Sequence, residues 1–278
     1  MTRGYYFIVT GERYRRELLV SLKQLRQQTQ LPICIASDLR MDVECDQFIW
    51  IAEPKFSSQD KMISLPMSPF SETIYIDSDM SFFSSPDPIF DGLQGADLLV
   101  SHEASLGLGP ASVKAMITPV FPEVSTGLMA FRKTATVDEL FRNWRAEYEE
   151  LSARHGIMQD QPAFRRALFF TPVRFSILPP EYHYIPANFT RVVGSRIVCV
   201  HNHDFALARR VGIALNRRPA GDYAAYVDGL GVFRNPYAMR FDEALGFALR
   251  CLRLFAFLVP RALYISLKEA HPWAFRRR

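Results

Sequence analysis

Two rhythms of apolar positions alternate along the first half of the chain. Tyr5-Tyr6-Phe7-Ile8-Val9 is a short continuous apolar run rich in strand formers. It stops at Thr10-Gly11. From about Arg13 to Gln28, Leu18, Leu19, Leu22 and Leu25 then recur at helical spacing. Leu31 to Ala36 reads as a second strand and ends at Ser37-Asp38. Phe48 to Ile51 reads as a third, and Thr73 to Ile76 as a fourth that breaks off in Asp77-Ser78-Asp79. Asp97 to Val100 reads as a fifth. Further on, the pattern predicts helices over Val137–Leu151 and Gln161–Leu168, the latter capped by Asp160, and a strand over Arg196–Val200 ending at His201. It also predicts an apolar helix over Asp242–Leu258, stopped by Pro260. Strands alternating with helices predict an α/β layer built on a mixed, mostly parallel, Rossmann-like sheet flanked by helices. Ligands of such sheets bind beyond the carboxyl ends of strands. That rule singles out Thr10–Tyr14, Asp77–Asp79 and Ser101–Glu103.

Composition narrows the class. Of 278 residues, 49% are hydrophobic and 22% charged, which excludes a disordered chain. No uncharged run approaches the roughly 18–20 residues of a spanning helix. The apolar stretch at the N-terminus is too short for a signal peptide, so a cytoplasmic protein is expected. Cys34, Cys45, Cys199 and Cys251 form no metal spacing and read as reduced thiols. Charge is uneven. Residues 1–200 carry 20 Lys and Arg against 23 Asp and Glu, whereas residues 201–278 carry 13 against 6. A basic end on a near-neutral body suits an anionic partner. We divide the chain into a main α/β domain, 1–238, and a basic, apolar helical extension, 239–278. Leu245, Leu249, Leu252, Phe255 and Phe257 with Arg250 and Arg253 suit the surface of an anionic membrane on the cytoplasmic side, or packing on the main domain.

The sharpest chemical signal is Thr73-Ile-Tyr-Ile-Asp77-Ser78-Asp79. A buried strand delivers two carboxylates one residue apart, and hard oxygen ligands suit Mg²⁺ or Mn²⁺. Two aspartates in a solvated turn would look the same. His201 follows another apolar strand and supplies a third candidate ligand, better suited to Mn²⁺ than to Ca²⁺. His203, two residues further on, is expected to point away from or beyond His201. Lys61, before the fourth strand, is a candidate phosphate cation.

In their order, these residues resemble GT-A-type glycosyltransferases, and most closely family 8, over roughly residues 5–205. FIVTGERYRRELLVSLKQLR is similar to the family's first strand and helix, and the resemblance assigns Thr10 and Tyr14 to the nucleotide base and ribose. QDKM assigns Lys61 to the donor phosphates. YIDSDM is the D-x-D motif, with Asp77 on the ribose side and Asp79 a direct metal ligand. PEVSTGLMAF maps Ser125, Thr126 and Gly127 onto an N-(A/T/S)-G-(V/L) strand, with Ser125 where the family has Asn. QDQPAF maps Asp160 and Gln161 beside the transferred sugar. LPPEYHYIP resembles the segment before the last strand, and VCVHNHD maps His201 onto the metal histidine. The family's later phosphate-binding lysine is Leu207 here, so Arg209 or Arg210 is the expected replacement.

The resemblance implies a Mn²⁺- or Mg²⁺-dependent hexosyltransferase. Its donor would be a nucleotide sugar, most simply a UDP-sugar. Its acceptor would be a glycan, a lipid-linked glycan or another hydroxyl compound, attacked with retention; nucleic acid is not among its partners. Two alternatives share the D-x-D layout: a degenerate nucleotide-sugar-binding protein, and a haloacid-dehalogenase-type phosphatase with Asp77 as nucleophile. The phosphatase also needs a downstream acidic pair, for which the sequence offers no convincing candidate.

Overall fold

The computed structural model describes residues 2–40, 43–103, 113, 116–188, 190–193, 196–217, 223–227, 231–234, 245–253 and 255–256. Twelve strands are formed among them: β1 (Arg3–Val9), β2 (Ile33–Ser37), β3 (Gln47–Trp50), β4 (Glu72–Ile76), β5 (Met80–Phe82), β6 (Leu98–His102), β7 (Val124–Arg132), β8 (Phe175–Leu178), β9 (Arg191–Val192), β10 (Cys199–His201), β11 (Ala224–Val227) and β12 (Gly231–Arg234). The helices used below are α1 (Glu12–Arg26), α2 (Ser58–Ser64), α3 (Ile89–Gly92), α4 (Ala135–His155), α5 (Gln161–Phe170) and α6 (Phe205–Asn216).

A seven-stranded sheet runs β3-β2-β1-β4-β7-β6-β8. Its β3/β2, β2/β1, β1/β4 and β6/β8 pairs are parallel, and β7 runs antiparallel between β4 and β6. β2 and β4 are buried along their whole length, as strands covered on both faces must be. Buried side chains of the two faces form two cores. One holds Trp144, Phe141, Phe131 and Phe164 beneath α4 and α5, and the other holds Leu18, Leu22, Leu25, Phe7 and Ile76 beneath α1. The α1 stripe is the leucine spacing read from the sequence, with Leu19 left exposed. At the start of β4, buried Glu72 accepts from Arg3 at 2.8 Å and from Arg132 at 3.1 Å, which pairs its charge from two sides.

Two local features shape the site. β5 pairs antiparallel with β10 in a separate two-stranded sheet, with His201 opposite Met80. The register of β6 against β7 also shifts, from Val100 opposite Met129 to Ser101 opposite Ser125. Thr126, Gly127 and Leu128 are thereby freed from β6, a bulge of the kind that re-aims backbone near active sites.

The expected strands form, with boundaries shifted by one to three residues. Asp160 precedes α5 as expected, but its side chain makes no capping bond. The carboxylate is turned instead to Thr126 and Lys61. No helix among the described residues is long and apolar enough to cross a membrane. Of the C-terminal extension, residues 245–253 are helical, and residues 257–278 lie outside the described residues.

Candidate active site

β4 ends at Ile76, and the Asp77 N–H donates to Gly127 O at 2.8 Å, so the first aspartate is still pinned to β7. The chain turns through Ser78 and re-enters as β5. The Asn202 N–H then donates to Asp79 O at 3.0 Å, tying the turn to the end of β10. The β5/β10 pairing therefore brings the D-x-D and His201 together across 122 positions of sequence. One ligand atom each from Asp77, Asp79 and His201 lie within 4.8 Å of one another. His201 Nε2 is 3.0 Å from Asp79 Oδ1.

Space for the His201 and Asp77 side chains depends on Gly127. A Cβ there would stand 2.7 Å from His201 Cε1, 3.0 Å from its Nδ1 and 3.2 Å from Asp77 Oδ2. Two carboxylates and an imidazole, converging over a backbone that leaves room for them, fit a divalent cation of the Mn²⁺ or Mg²⁺ type.

Cations already present balance the cluster. Lys61 Nζ, on α2, is 3.1 Å from Asp77 Oδ1, 3.3 Å from Asp160 Oδ2 and 3.4 Å from Thr126 Oγ1. Burial works to lower its pKa, but the charges of Asp160 and Asp77 outweigh burial and hold it up. Burial pushes Asp77 above the ordinary carboxylate range, against the pull of Lys61 and His201. The Tyr75 hydroxyl also donates to Asp77. At Asp79 burial acts in the same direction but loses to the hydrogen bond from His201 and to the charges of His201 and His203, so its pKa falls. Burial likewise works to lower His201, yet its hydrogen bond to Asp79 and the charges of both aspartates leave it raised.

A cleft of about 430 Å³ opens over this cluster. Thr10, Tyr14, Phe56, Asp60, Lys61, Tyr75, Asp77, Asp79, Asp160, His201 and His203 line it. Thr10 Oγ1 donates to Asp60 Oδ2 at 2.7 Å, which commits its proton and leaves its oxygen as an acceptor. Tyr14 is about one-third exposed, with the Arg13 guanidinium 5.3 Å from its ring centre. A second hollow of about 350 Å³ shares Asp77, Asp79 and His201 and adds Glu103, Ser125, Thr126, Gly127 and Gln161. Gln161 Nε2 donates to Val124 O at 3.3 Å and Glu103 Oε2 at 3.4 Å, and Ser125 Oγ accepts from the Gly127 N–H at 3.2 Å.

Eleven of the thirteen residues that the resemblance assigns to the site, all but Arg209 and Arg210, thus meet around two adjoining hollows. Arg209 stands on an exposed face of α6 and lines neither. Leu207, in the family's lysine position, packs against a small apolar core around Val211 and Leu215. His203 corrects the expectation that it lies away from the site: positions i and i+2 of an extended chain share a face, and His203 Nδ1 lies 3.2 Å from Asp79 Oδ2 and 3.0 Å from Glu17 Oε1.

Sequence reasoning missed His183, Asp60 and Phe56. His183 lies within the LPPEYHYIP segment but carried no role there. Phe56 is two-thirds exposed, lines the cleft, and adopts φ +51°, a left-handed conformation costly for a bulky residue. Nothing in its local sequence signals that.

Residues 71–207, which include the D-x-D turn, the β7 bulge, Asp160 and His201, match the nucleotide-diphospho-sugar transferase family. This is a GT-A-type glycosyltransferase resembling family 8. Its fold is that of the galactosyltransferase LgtC in complex with donor and acceptor sugar analogues. The TM-score is 0.53 at 13% identity, over 78% of this chain and 97% of LgtC. The apo form of mouse xyloside xylosyltransferase 1 is similar at TM-score 0.51 and 11% identity, over 73% of this glycosyltransferase and 98% of the mouse chain. No curated protein sequence matches the chain. With the transferase class established, the phosphatase alternative falls away.

Proposed function

We propose that this glycosyltransferase moves a hexose from a UDP-sugar to a glycan or lipid-linked glycan hydroxyl, with retention, and that Asp77, Asp79 and His201 hold a Mn²⁺ ion (Mg²⁺ as the weaker substitute). The observation that carries the reading is the convergence of those three ligand atoms within 4.8 Å at the floor of the cleft that Thr10 and Tyr14 also line. When bound, the ion supplies positive charge against the diphosphate leaving group.

The chain's own residues supply the rest. Tyr14 offers a ring face to the base, and the Thr10 oxygen is an acceptor for a base N–H. Asp77 contributes on the ribose side. The Lys61 ammonium, held at the junction of the two hollows, is the nearest cation to a donor phosphate, and Arg209 would serve a phosphate arm only through rearrangement of α6. Ser125 and Thr126 border the sugar. Asp160 and Gln161, fixed by Thr126 and by the Val124 carbonyl, orient the sugar and stabilise positive charge at its anomeric carbon.

We assign catalysis to residues 1–238 and acceptor approach to 239–278. Leu245, Leu249 and Leu252 are each at least half exposed on one helical stripe, with Arg253 beside them. That pattern supports peripheral contact with an anionic membrane carrying a lipid-linked acceptor. The deciding experiment incubates the chain with a panel of UDP-sugars and Mn²⁺ and measures UDP release with and without EDTA. EDTA-sensitive turnover, restored best by Mn²⁺, is expected. Binding of UDP-sugars with no turnover on any acceptor would make the protein a degenerate binder.

A further inference from the structure

We propose that His183 is a positioning residue for the metal centre: it holds Nδ1 of His201, so that Nε2 is the atom His201 offers to a divalent cation. The inference rests on the metal reading above and goes beyond it, since His183 is not itself among the ligands.

Backbone geometry fixes the pair. The Tyr184 N–H donates to Cys199 O at 3.0 Å, and the His201 N–H donates to Tyr184 O at 2.9 Å. The segment after the Pro180–Tyr182 turn is thus laced along β10, and the two imidazoles cannot drift apart without breaking that ladder. Their rings stack with centroids 5.0 Å apart and planes at 29°. His183 Nε2 lies 2.9 Å from His201 Nδ1.

His183 is 4% exposed, and its Nδ1 has no hydrogen-bond partner among the described residues. A buried imidazole kept for packing alone would normally satisfy both nitrogens. This one makes a single hydrogen bond, and that bond goes to the candidate ligand.

The proton arrangement follows. A cation on His201 Nε2 requires the proton of the neutral ring to sit on Nδ1. That N–H then donates to His183 Nε2, which places the His183 proton on its own Nδ1. A histidine ligand whose second nitrogen is held this way is fixed in tautomer and ring orientation, and loss of such a partner commonly costs 10–100-fold in metal affinity.

The test uses the full chain and Mn²⁺ alone, without nucleotide, with free Mn²⁺ followed by electron paramagnetic resonance. Far-ultraviolet circular dichroism and thermal melting check the fold. His183→Phe keeps a planar ring for packing but cannot accept a hydrogen bond, and should weaken Mn²⁺ binding by about 10–100-fold. His183→Gln, whose amide oxygen reaches the Nε2 position, should recover most of that loss. A folded His183→Phe chain that binds Mn²⁺ within twofold of wild type overturns the proposal, as does a Gln variant no better than Phe.

Should the Phe variant fail to fold, long-range ¹H–¹⁵N imidazole spectra of the wild-type chain with Zn²⁺ as a diamagnetic probe decide the matter. His201 protonated on Nδ1 and ligated through Nε2 supports the proposal, and ligation through Nδ1 overturns it. The two readings fail differently. A wild-type chain that binds no Mn²⁺ sinks the metal site and this proposal together. Unchanged binding in His183→Phe removes His183 alone.

Discussion

Gly127→Ala is the smallest perturbation that should disable the proposed metal site while leaving the fold intact. Gly127 does not adopt a left-handed conformation, so alanine is compatible with its backbone, and the consequence comes from one methyl group. That methyl would sit 2.7 Å from His201 Cε1, where carbon atoms prefer about 3.5–4.0 Å. The ring must retreat by nearly 1 Å. His183 is stacked against it and bonded to its Nδ1, and Asp79 holds Nε2, so retreat breaks at least one of these contacts. Overpacking a well-filled site costs about 1–3 kcal/mol. Charged against the ligating arrangement, this corresponds to roughly a 10–100-fold loss of Mn²⁺ affinity, since about 1.4 kcal/mol is tenfold. Isothermal titration of Mn²⁺ into the nucleotide-free chain measures it. Gly95→Ala is the control, because a Cβ there meets nothing within 4 Å, and it should bind Mn²⁺ as wild type does. A folded Gly127→Ala chain with unchanged Mn²⁺ affinity would refute the reasoning: His201 would then be either free to move or not a ligand.

Further outcomes follow from the same geometry. Lys61→Met strips the cation from two largely buried carboxylates and should destabilise the metal-free chain by about 3 kcal/mol, the scale of breaking a buried ion pair. Thermal melts should show Mn²⁺ recovering part of that loss, and no change in melting temperature would mean the pair is not coupled. His201 has a raised pKa, so protonation competes with the metal above its ordinary 6.5. Its stabilising ion pair with Asp79 is fully present below 6.5 and lost as pH rises through the raised value, while Mn²⁺ affinity grows over that same rise; a Mn²⁺ titration midpoint well below 6.5 would contradict this. His201→Ala should abolish most Mn²⁺ binding and His203→Ala should weaken it less, because His203 is far more exposed and touches only Asp79 Oδ2 of the ligand set. The reverse order would exchange their roles. Phe56→Gly relieves a left-handed backbone worth about 1–2 kcal/mol and should be neutral or stabilising in a melt while weakening UDP binding, and unchanged UDP affinity would remove Phe56 from the donor site.

The parts of this enzyme that were legible in its sequence are those where side-chain type and local period carry the information. The D-x-D turn could be read because the apolar run Ile74-Tyr75-Ile76 stops abruptly at Asp77, and α1 because its leucines keep helical spacing. What could not be read arises from pairings between distant segments. Asp160 looks like a helix cap in sequence, yet Lys61 and Thr126, brought in from α2 and from the β7 bulge, outcompete the helix N-terminus for its carboxylate. His203 reads as a bystander in sequence, yet positions i and i+2 of an extended chain share a face, and His203 meets Asp79 beside His201. His183 could not have been singled out at all, because its meaning lies in a parallel bridge between Tyr184 and Val200 that no local pattern announces. The bulge in β7 belongs with these cases. Thr126 and Gly127 leave β6 at the point where His201 and Asp77 need a side chain absent and a carbonyl turned toward Asp77. Chemistry-bearing residues could therefore be named from sequence, while the side chains that hold them in position came from the pairing of β5 with β10 and from the slip of β6 on β7.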